Sequence, residues 1–487
     1  MTIAKLNPER VWKNFYALTQ VPRPSKKEGK IIAFMEKWGK DHGIETYKDE
    51  IGNIIMRKPA TAGMENRKGI LLQGHLDMVP QKNNDKVHNF EKDPIETKIV
   101  KIDGEDWVCA NGTTLGADNG LGVAIAMAVL EAKDHVHGPI EALFTIDEET
   151  GMTGAFGLKP GLLKSDILIN LDSEAEGELY VGCAGGLDGN VELKYKEEPL
   201  PKGFVAYQIT VKGLCGGHSG MEINLGRGNA NKIMARTLLP ILKELKAKLV
   251  SIEGGTLRNA IPRECIAVIA LPKENVAKMK ECVKTTFTDV KNEIGSVDGG
   301  IQILVDETKA KNMIKGNVGL KFIKALCCCP NGVERMSADV PDLVETSNNL
   351  AVVKSEKGLL TVRCLMRSSV DTAKFALSQD FASAFELAGA KVYFTGAYSG
   401  WKPNMQSAIL KEMKEIYKKM YKKEPAIMAI HAGLECGVLG SKYPNLDMVS
   451  CGPTLRSPHS PDERAHVASV AKVWDFLVEV LKNAPKK

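Results

Sequence analysis

The placement of its continuous apolar runs constrains this chain more than any other feature. GILLQGHLDMV (69–79), IEALFTID (140–147) and DILINLD (166–172) are short and almost wholly apolar before their final residues. Strands that read this way are buried on both faces, as in a parallel sheet covered by helices on either side. GLGVAIAMAVLEA (120–132) is apolar around its whole circumference, which marks a buried helix. The same alternation returns near the end, with helices over 408–423 and 467–484 and strands AIMAIH (426–431) and LDMVSCG (446–452). A chain of 487 residues is too long for a single hydrophobic core. One domain is therefore expected from both ends of the chain, residues 1–185 and 400–487. Ser25 and Glu28 have the spacing of a capping box, which predicts a helix from there to about Asp41, closed by Gly43.

Between these ends the pattern changes. VAYQITVK (205–212), a helix over 229–245, KLVSIEG (248–254), ECIAVIAL (264–271), a charged helix over 274–293 and IQILVDE (301–307) follow in the order β-α-β-β-α-β. That order predicts a ferredoxin-like unit. A second series follows, with strands at 350–356 and 359–367, a helix over 375–389 and a strand at 391–398. Residues 186–399 are read as one inserted α+β domain, with two similar halves.

The strand-like runs end in residues that ligate metals. The stretches are GHLDMV (74–79), LGADNG (115–120), DEETG (147–151) and NLDSE (170–174), with SPHSPDER (457–464) much later. Residues i and i+2 of a strand point to the same side, so His75 and Asp77 face together. A carboxylate there can accept the imidazole N–H that a metal leaves free. Glu148, Glu149 and Asp172 close their strands at the carboxyl edge, where open α/β sheets bind ligands. Asp118 sits between glycines, just before a helix. Singly, each signal has a bland account: adjacent acids form solvated turns, and His459 suits a surface loop. Jointly they do not, because buried acids need a counter-charge. Two histidines and several carboxylates are the parts of a two-metal hydrolase centre.

Other features are bland or exclude functions. The net charge of +5 is spread over mixed Lys and Glu, which excludes a nucleic-acid surface. No run of eighteen apolar residues exists, so no membrane span is expected. The charged start MTIAKLNPERVWKNF lacks the apolar core of a signal peptide. Eleven scattered cysteines read as reduced thiols in the cytoplasm, and Cys327–Cys329 as buried packing. His135 and His137 read as loop residues.

With these stretches in view, the chain resembles the M20 family of metallopeptidases, and within it the aminoacyl-histidine dipeptidase branch. The matching segments are GHLDMVPQKN, TTLGADNGLGVA, TIDEETGMTGA, INLDSE, GGHSGMEINLGRGNA, HAGLECG and SPHSPDER, which span almost the whole sequence. The resemblance implies an α/β catalytic domain of zinc-peptidase type, with a mainly parallel mixed sheet sandwiched by helices, and an inserted ferredoxin-like lid over 186–399. It implies two Zn²⁺ per chain, with Mn²⁺ or Co²⁺ as substitutes. His75 and Asp172 would hold one ion, Glu149 and His459 the other, and Asp118 would bridge both through a cis peptide to Asn119. Asp77 would orient His75, and Glu148 would be the general base toward a metal-activated water. His218 would stabilise the oxyanion. Asn259 and Arg367 would hold the substrate's C-terminal carboxylate, with Arg363 a competitor on the same strand. Glu435 would receive the free amino group, with His431 nearby. Four positive charges against three carboxylates leave one unit, enough to hold a hydroxide. The implied substrates are dipeptides with free N-termini, Xaa-His among them. An N-acyl-amino-acid deacylase or carboxypeptidase is the nearest alternative, and a non-catalytic binding protein on the same fold a more distant one. The source of His218, own chain or partner subunit, stays open, and with it a homodimer.

Overall fold

The computed structural model describes residues 2–487. It divides into two compact units. One comprises the chain up to Gly182 with Pro403–Ala429 and Leu434–Lys487; the other comprises Cys183–Lys402 with Ile430–Gly433. The short segment Ile430–Gly433 joins the second unit because Ala184 N–H lies 3.0 Å from the carbonyl of Ile430 and 2.9 Å from that of Ala432. No helix among the described residues is long and apolar enough to cross a membrane.

The first unit is built on an eight-stranded sheet. Its order is Glu45–Lys48, Ile54–Lys58, Ile140–Thr145, Ile70–His75, Ile167–Asn170, Asp447–Ser450, Glu178–Cys183, Ala426–Ile430. The four central strands run parallel. Ile54–Lys58 and Glu45–Lys48 are added antiparallel at one side. Every residue of Ile70–His75, Ile140–Thr145 and Ile167–Asn170 is buried, and the polar Gln73, Glu141 and Asn170 among them are hydrogen-bonded. The helix Ala117–Glu131 is buried at every position but Asp118 and Glu131. Fully burying each of its Leu, Ile and Val side chains is worth ~1.5–3 kcal/mol, so sheet and helix together hold the parallel strand ends in place.

Two local expectations change. The helix that follows Ser25 begins at Gly29, and Glu28 is its N-cap without a side-chain bond. The capping box does not form, because both side chains bind elsewhere. Ser25 Oγ donates to Asp77 Oδ2 (2.8 Å), and Glu28 Oε1 accepts the N–H of Lys26 and of Asp147. A hydroxyl gains more from a carboxylate than from a neutral backbone group. A small antiparallel sheet of Thr97–Ile102, Glu105–Ala110, Arg464–His466 and Leu455–Arg456 was also not read from the sequence. The loop bearing His459 connects its last two strands.

The second unit holds a nine-stranded antiparallel sheet. The order is Gln302–Thr308, Phe204–Lys212, Cys265–Pro272, Lys248–Gly254, Val344–Glu356, Leu359–Ser368, Gly185–Lys194, Lys391–Tyr398, with Gly332–Met336 beside Val344–Glu356. The first four, numbered along the chain, lie in the order 4-1-3-2 of a ferredoxin-like unit. Gly185–Lys194, Val344–Glu356, Leu359–Ser368 and Lys391–Tyr398 repeat that order in mirror sequence across the sheet. The helices Val318–Cys328 and Asp371–Glu386 complete the second set. Its first strand precedes the entire first set, so a search for contiguous units could not find it.

Candidate metal centre

Asp118 is the hinge of the site. His75 Nε2 lies 3.1 Å from its Oδ1, and His459 Nε2 lies 3.1 Å from its Oδ2. On the His75 side, Asp172 Oδ1 is 3.4 Å from the same Nε2. On the His459 side, Glu149 Oε2 is 3.0 Å from that Nε2. The structure thus brings together two sets of donors, His75 with Asp172 and His459 with Glu149, sharing one carboxylate. His75 ends its strand, and its Nδ1 faces Asp77 at 3.3 Å from Oδ1. That contact fixes Nδ1 as the donor and leaves the Nε2 lone pair free.

The backbone around Asp118 is unusual. Gly116 has φ +68°, the peptide between Asp118 and Asn119 is cis, and both of those residues are non-helical inside the first turn. Two buried side chains that sequence reasoning missed hold this path. Glu463 accepts four backbone N–H groups, from Leu115 (2.7 Å), Gly116 (2.9 Å), Ala117 (2.7 Å) and Asp118 (3.2 Å). Arg23 donates to the carbonyls of Leu76, Asp77 and Gly116. Glu463 lies in the SPHSPDER segment, so the signal was present. Arg23 has no motif around it.

Asp77 does more than face His75. It also accepts the N–H of Glu148 (3.0 Å) and of Glu149 (3.3 Å). Burial would raise its pKa, but the His75 hydrogen bond and charge and these N–H donors lower it to about 2. Gln73 and Asn170, each two residues before a ligand position, stand in register with Ser450 across three strands. Asn170 Nδ2 donates to Gln73 Oε1, and Ser450 Oγ donates to Asn170 Oδ1, both at 2.5 Å. Gln73 Nε2 and Thr145 Oγ1 each donate at 2.6 Å to Glu435 Oε2. Glu435 is fully buried, and its other oxygen has no hydrogen bond. Burial pushes its pKa up to about 7.

The donor set fits divalent cations. Asp118, Glu149 and Asp172 share this space with Glu148 and Glu174, and the nearby guanidinium of Arg23 is committed to backbone carbonyls. Glu149 Oε1 and Asp172 Oδ1 are buried without a hydrogen-bond partner. Hydrogen bonds donated to Asp118 and Glu149 raise the pKa of His459 to about 11. For His75, burial acts downward, but Asp172, Asp118 and Asp77 outweigh it and raise it well above the ordinary value. Burial, then the neighbouring acids, raise Glu148 well above the usual carboxylate range. Such crowding of buried carboxylates is costly unless cations neutralise it.

The other five implied residues separate. Glu435 belongs to the first unit, whereas His218, Arg367 and His431 gather in the second. A Cβ on Gly220 would stand 2.2 Å from His431 O, 3.0 Å from His218 Cε1 and 3.3 Å from Arg367 Nε, so only glycine fits among them. His218 Nδ1 accepts the N–H of Gly220 (3.2 Å) and Met221 (3.1 Å), which places its proton on Nε2, available to donate. Burial and then Arg367 lower the pKa of His218, and lower that of His431 to about 3. Asn259 is exposed next to this trio, where its carbonyl accepts the N–H of Ser219 (2.8 Å). Arg363 is exposed farther along the strand of buried Arg367.

Comparison with known proteins agrees with this chemistry. The profile of peptidase family M20/M25/M40 matches residues 71–483. The chain is 47% identical over 488 residues to the cytosol non-specific dipeptidase of Escherichia coli (strain K12), covering 100% of this chain and 99% of the relative. It superposes on the crystal structure of aminoacylhistidine dipeptidase from Vibrio alginolyticus with a TM-score of 0.94 and 47% identity, covering 100% and 99% of the two chains. Aminopeptidase PepT from Bacillus cereus ATCC 10987 shares the fold at 19% identity, with a TM-score of 0.57 and coverage of 98% and 99%.

Proposed function

The chain belongs to peptidase family M20/M25/M40 and is a hydrolase acting on peptide bonds, and on that premise we propose that it is a cytoplasmic two-zinc dipeptidase. Its substrates are dipeptides with free N-termini, Xaa-His compounds among them, in line with the names its relatives carry. The observation that carries this reading is Asp118, which offers one oxygen toward each of two histidines in a cluster of buried carboxylates.

His75, Asp172 and Asp118 Oδ1 would hold one ion, and His459, Glu149 and Asp118 Oδ2 the other. Bound there, two divalent cations would polarise a carbonyl and lower the pKa of a water toward ~7. Asp77 keeps the His75 proton on Nδ1. Glu148, with no role in holding the ions, takes the proton from the attacking water and returns it to the leaving amine nitrogen. Glu435 takes the substrate's ammonium on its unpaired Oε1, with Oε2 fixed by Gln73 and Thr145. Arg367 takes the C-terminal carboxylate, with Asn259 and His431 beside it, and neutral His218 donates to the oxyanion from Nε2.

The test is a dipeptide panel that includes β-alanyl-histidine and N-acyl amino acids, run with metal content measured in the same samples. Zinc near two per chain and hydrolysis of free-amine dipeptides are expected. Manganese or cobalt at that stoichiometry would revise the ion alone. Glu435→Gln should raise KM for dipeptides and leave N-acyl amino acids unaffected. Preferential cleavage of N-acyl amino acids by the unmodified protein would instead establish a deacylase.

A further inference from the structure

Arg367 stands in a row that crosses four strands of the second unit. Ser347 pairs with Arg367, Arg367 with Gly186, and Gly186 with Tyr398. Side chains opposite one another on adjacent antiparallel strands lie ~5 Å apart, so a residue two strands away is ordinarily screened by the one between. Here the intervening position is glycine. A Cβ on Gly186 would lie 2.2 Å from the Tyr398 ring, and one on Gly433 would lie 3.2 Å from it. The ring therefore rests over Gly186, and the Tyr398 hydroxyl accepts a hydrogen bond from Arg367 Nη1 at 3.3 Å.

The row is fixed at both ends. At one, Ser347 Oγ lies 2.7 Å from His431 Nε2. At the other, the Tyr398 carbonyl accepts from Lys374 Nζ, a fully buried ammonium paired with Asp371 at 2.8 Å. Asp371 also accepts the N–H of Gly400 (3.1 Å), which anchors the chain just after Tyr398. Arg367 itself is only 5% exposed, its Nε has no hydrogen-bond partner, and among the described residues it forms no ion pair. A buried guanidinium left this way is held ready for an anion that arrives from outside.

We propose that Tyr398 is a positioning residue, whose hydroxyl, laid across Gly186, holds the Arg367 guanidinium in the orientation that grips a substrate carboxylate. This rests on the reading of Arg367 as the carboxylate contact. Accepting from Arg367 leaves the phenol's own proton free, so Tyr398 adds no negative charge that would compete with the substrate.

Wild type, Tyr398→Phe and Arg367→Ala, all as full-length metal-loaded protein, separate the possibilities. Each is assayed with a dipeptide and with the same dipeptide as its C-terminal amide, using Ki where the amide is not turned over, and each is melted thermally. Tyr398→Phe keeps the ring and removes one oxygen. It should raise KM for the dipeptide about fivefold to tenfold, with kcat within about twofold. The amide constants and the melting temperature should not move. Arg367→Ala should raise the dipeptide KM further, again sparing the amide. An unchanged KM in Tyr398→Phe beside a raised KM in Arg367→Ala would overturn the role of Tyr398 and leave that of Arg367 standing. No effect of Arg367→Ala would overturn both. An equal penalty on dipeptide and amide, or a lowered melting temperature in Tyr398→Phe, would mark a packing role and overturn the proposal as well.

Discussion

The two units concentrate opposite charge. In the first, Asp118, Glu149 and Asp172 crowd two histidines. In the second, Arg367 stands beside His218 and His431 and forms no ion pair among the described residues, while the Glu222 carboxylate near His218 is paired with Arg227 at 2.9 Å. Each arrangement is expensive in an empty protein and cheap with the right ligand, cations in one and an anion in the other. The scaffolds differ in the same sense. The carboxylates ride on loops at parallel strand ends, which need Arg23 and Glu463 to hold the backbone. Arg367, by contrast, stands on a regular antiparallel sheet, where register sets it between Ser347 and Gly186, and the neutral His218 and His431 come from outside that sheet.

The comparison breaks most decisively at Asp118. Asp118→Asn or a strong chelator should lower hydrolysis by ~10³-fold or more, with loss of bound metal measured by elemental analysis. Retention of both metals by Asp118→Asn would show that the shared carboxylate is dispensable. Glu148→Gln should lower kcat by ~10²–10⁴-fold while metal content stays at the wild-type level. That split separates proton transfer from ion binding within one acidic cluster. The opposite cluster should respond differently. Arg367→Ala should act on KM, by roughly tenfold to a hundredfold, the equivalent of a lost charged hydrogen bond worth ~1.5–3 kcal/mol, with metal content unaffected.

Smaller effects sharpen the contrast between the scaffolds. Glu463→Ala leaves four backbone N–H groups without their acceptor and should destabilise the metal-loaded protein by ~1–3 kcal/mol in urea unfolding. A loss below the error of the measurement would mean that water replaces the carboxylate. His431, with its pKa lowered to about 3, folds without a proton. Its contribution to stability is full above ~6.5 and declines as pH falls from there toward 3, by at most ~1.4 kcal/mol per pH unit. His431→Gln should therefore flatten the fall in melting temperature between pH 6.5 and pH 5.

The readable part of the fold was periodic. Ile70–His75, Ile140–Thr145 and Ile167–Asn170 announce a parallel sheet because burial on both faces favours apolar residues at most of their positions. The β-α-β-β-α-β order of 204–308 was legible because its six elements are contiguous. Of the other half, the strands at 350–356, 359–367 and 391–398 and the helix before the last were legible, but its first strand, Gly185–Lys194, was not, since the whole first set divides it from its partners. At Ser25 the local signal for a helix cap yielded to Asp77, a partner distant in sequence.

By itself the sequence determined which chemistry the protein has available: two histidines and a set of acids at strand ends, inside a parallel α/β framework and around an α+β insertion. Residue type and periodicity carry that much, because burial and ligation are properties of single side chains and their spacing. Only the tertiary structure decided that Asp118 divides its oxygens between His75 and His459, that Arg23 and Glu463 hold its backbone, and that Tyr398 reaches Arg367 over Gly186. Those relations are distances between residues remote along the chain, and a pattern local to the sequence has no means of encoding them.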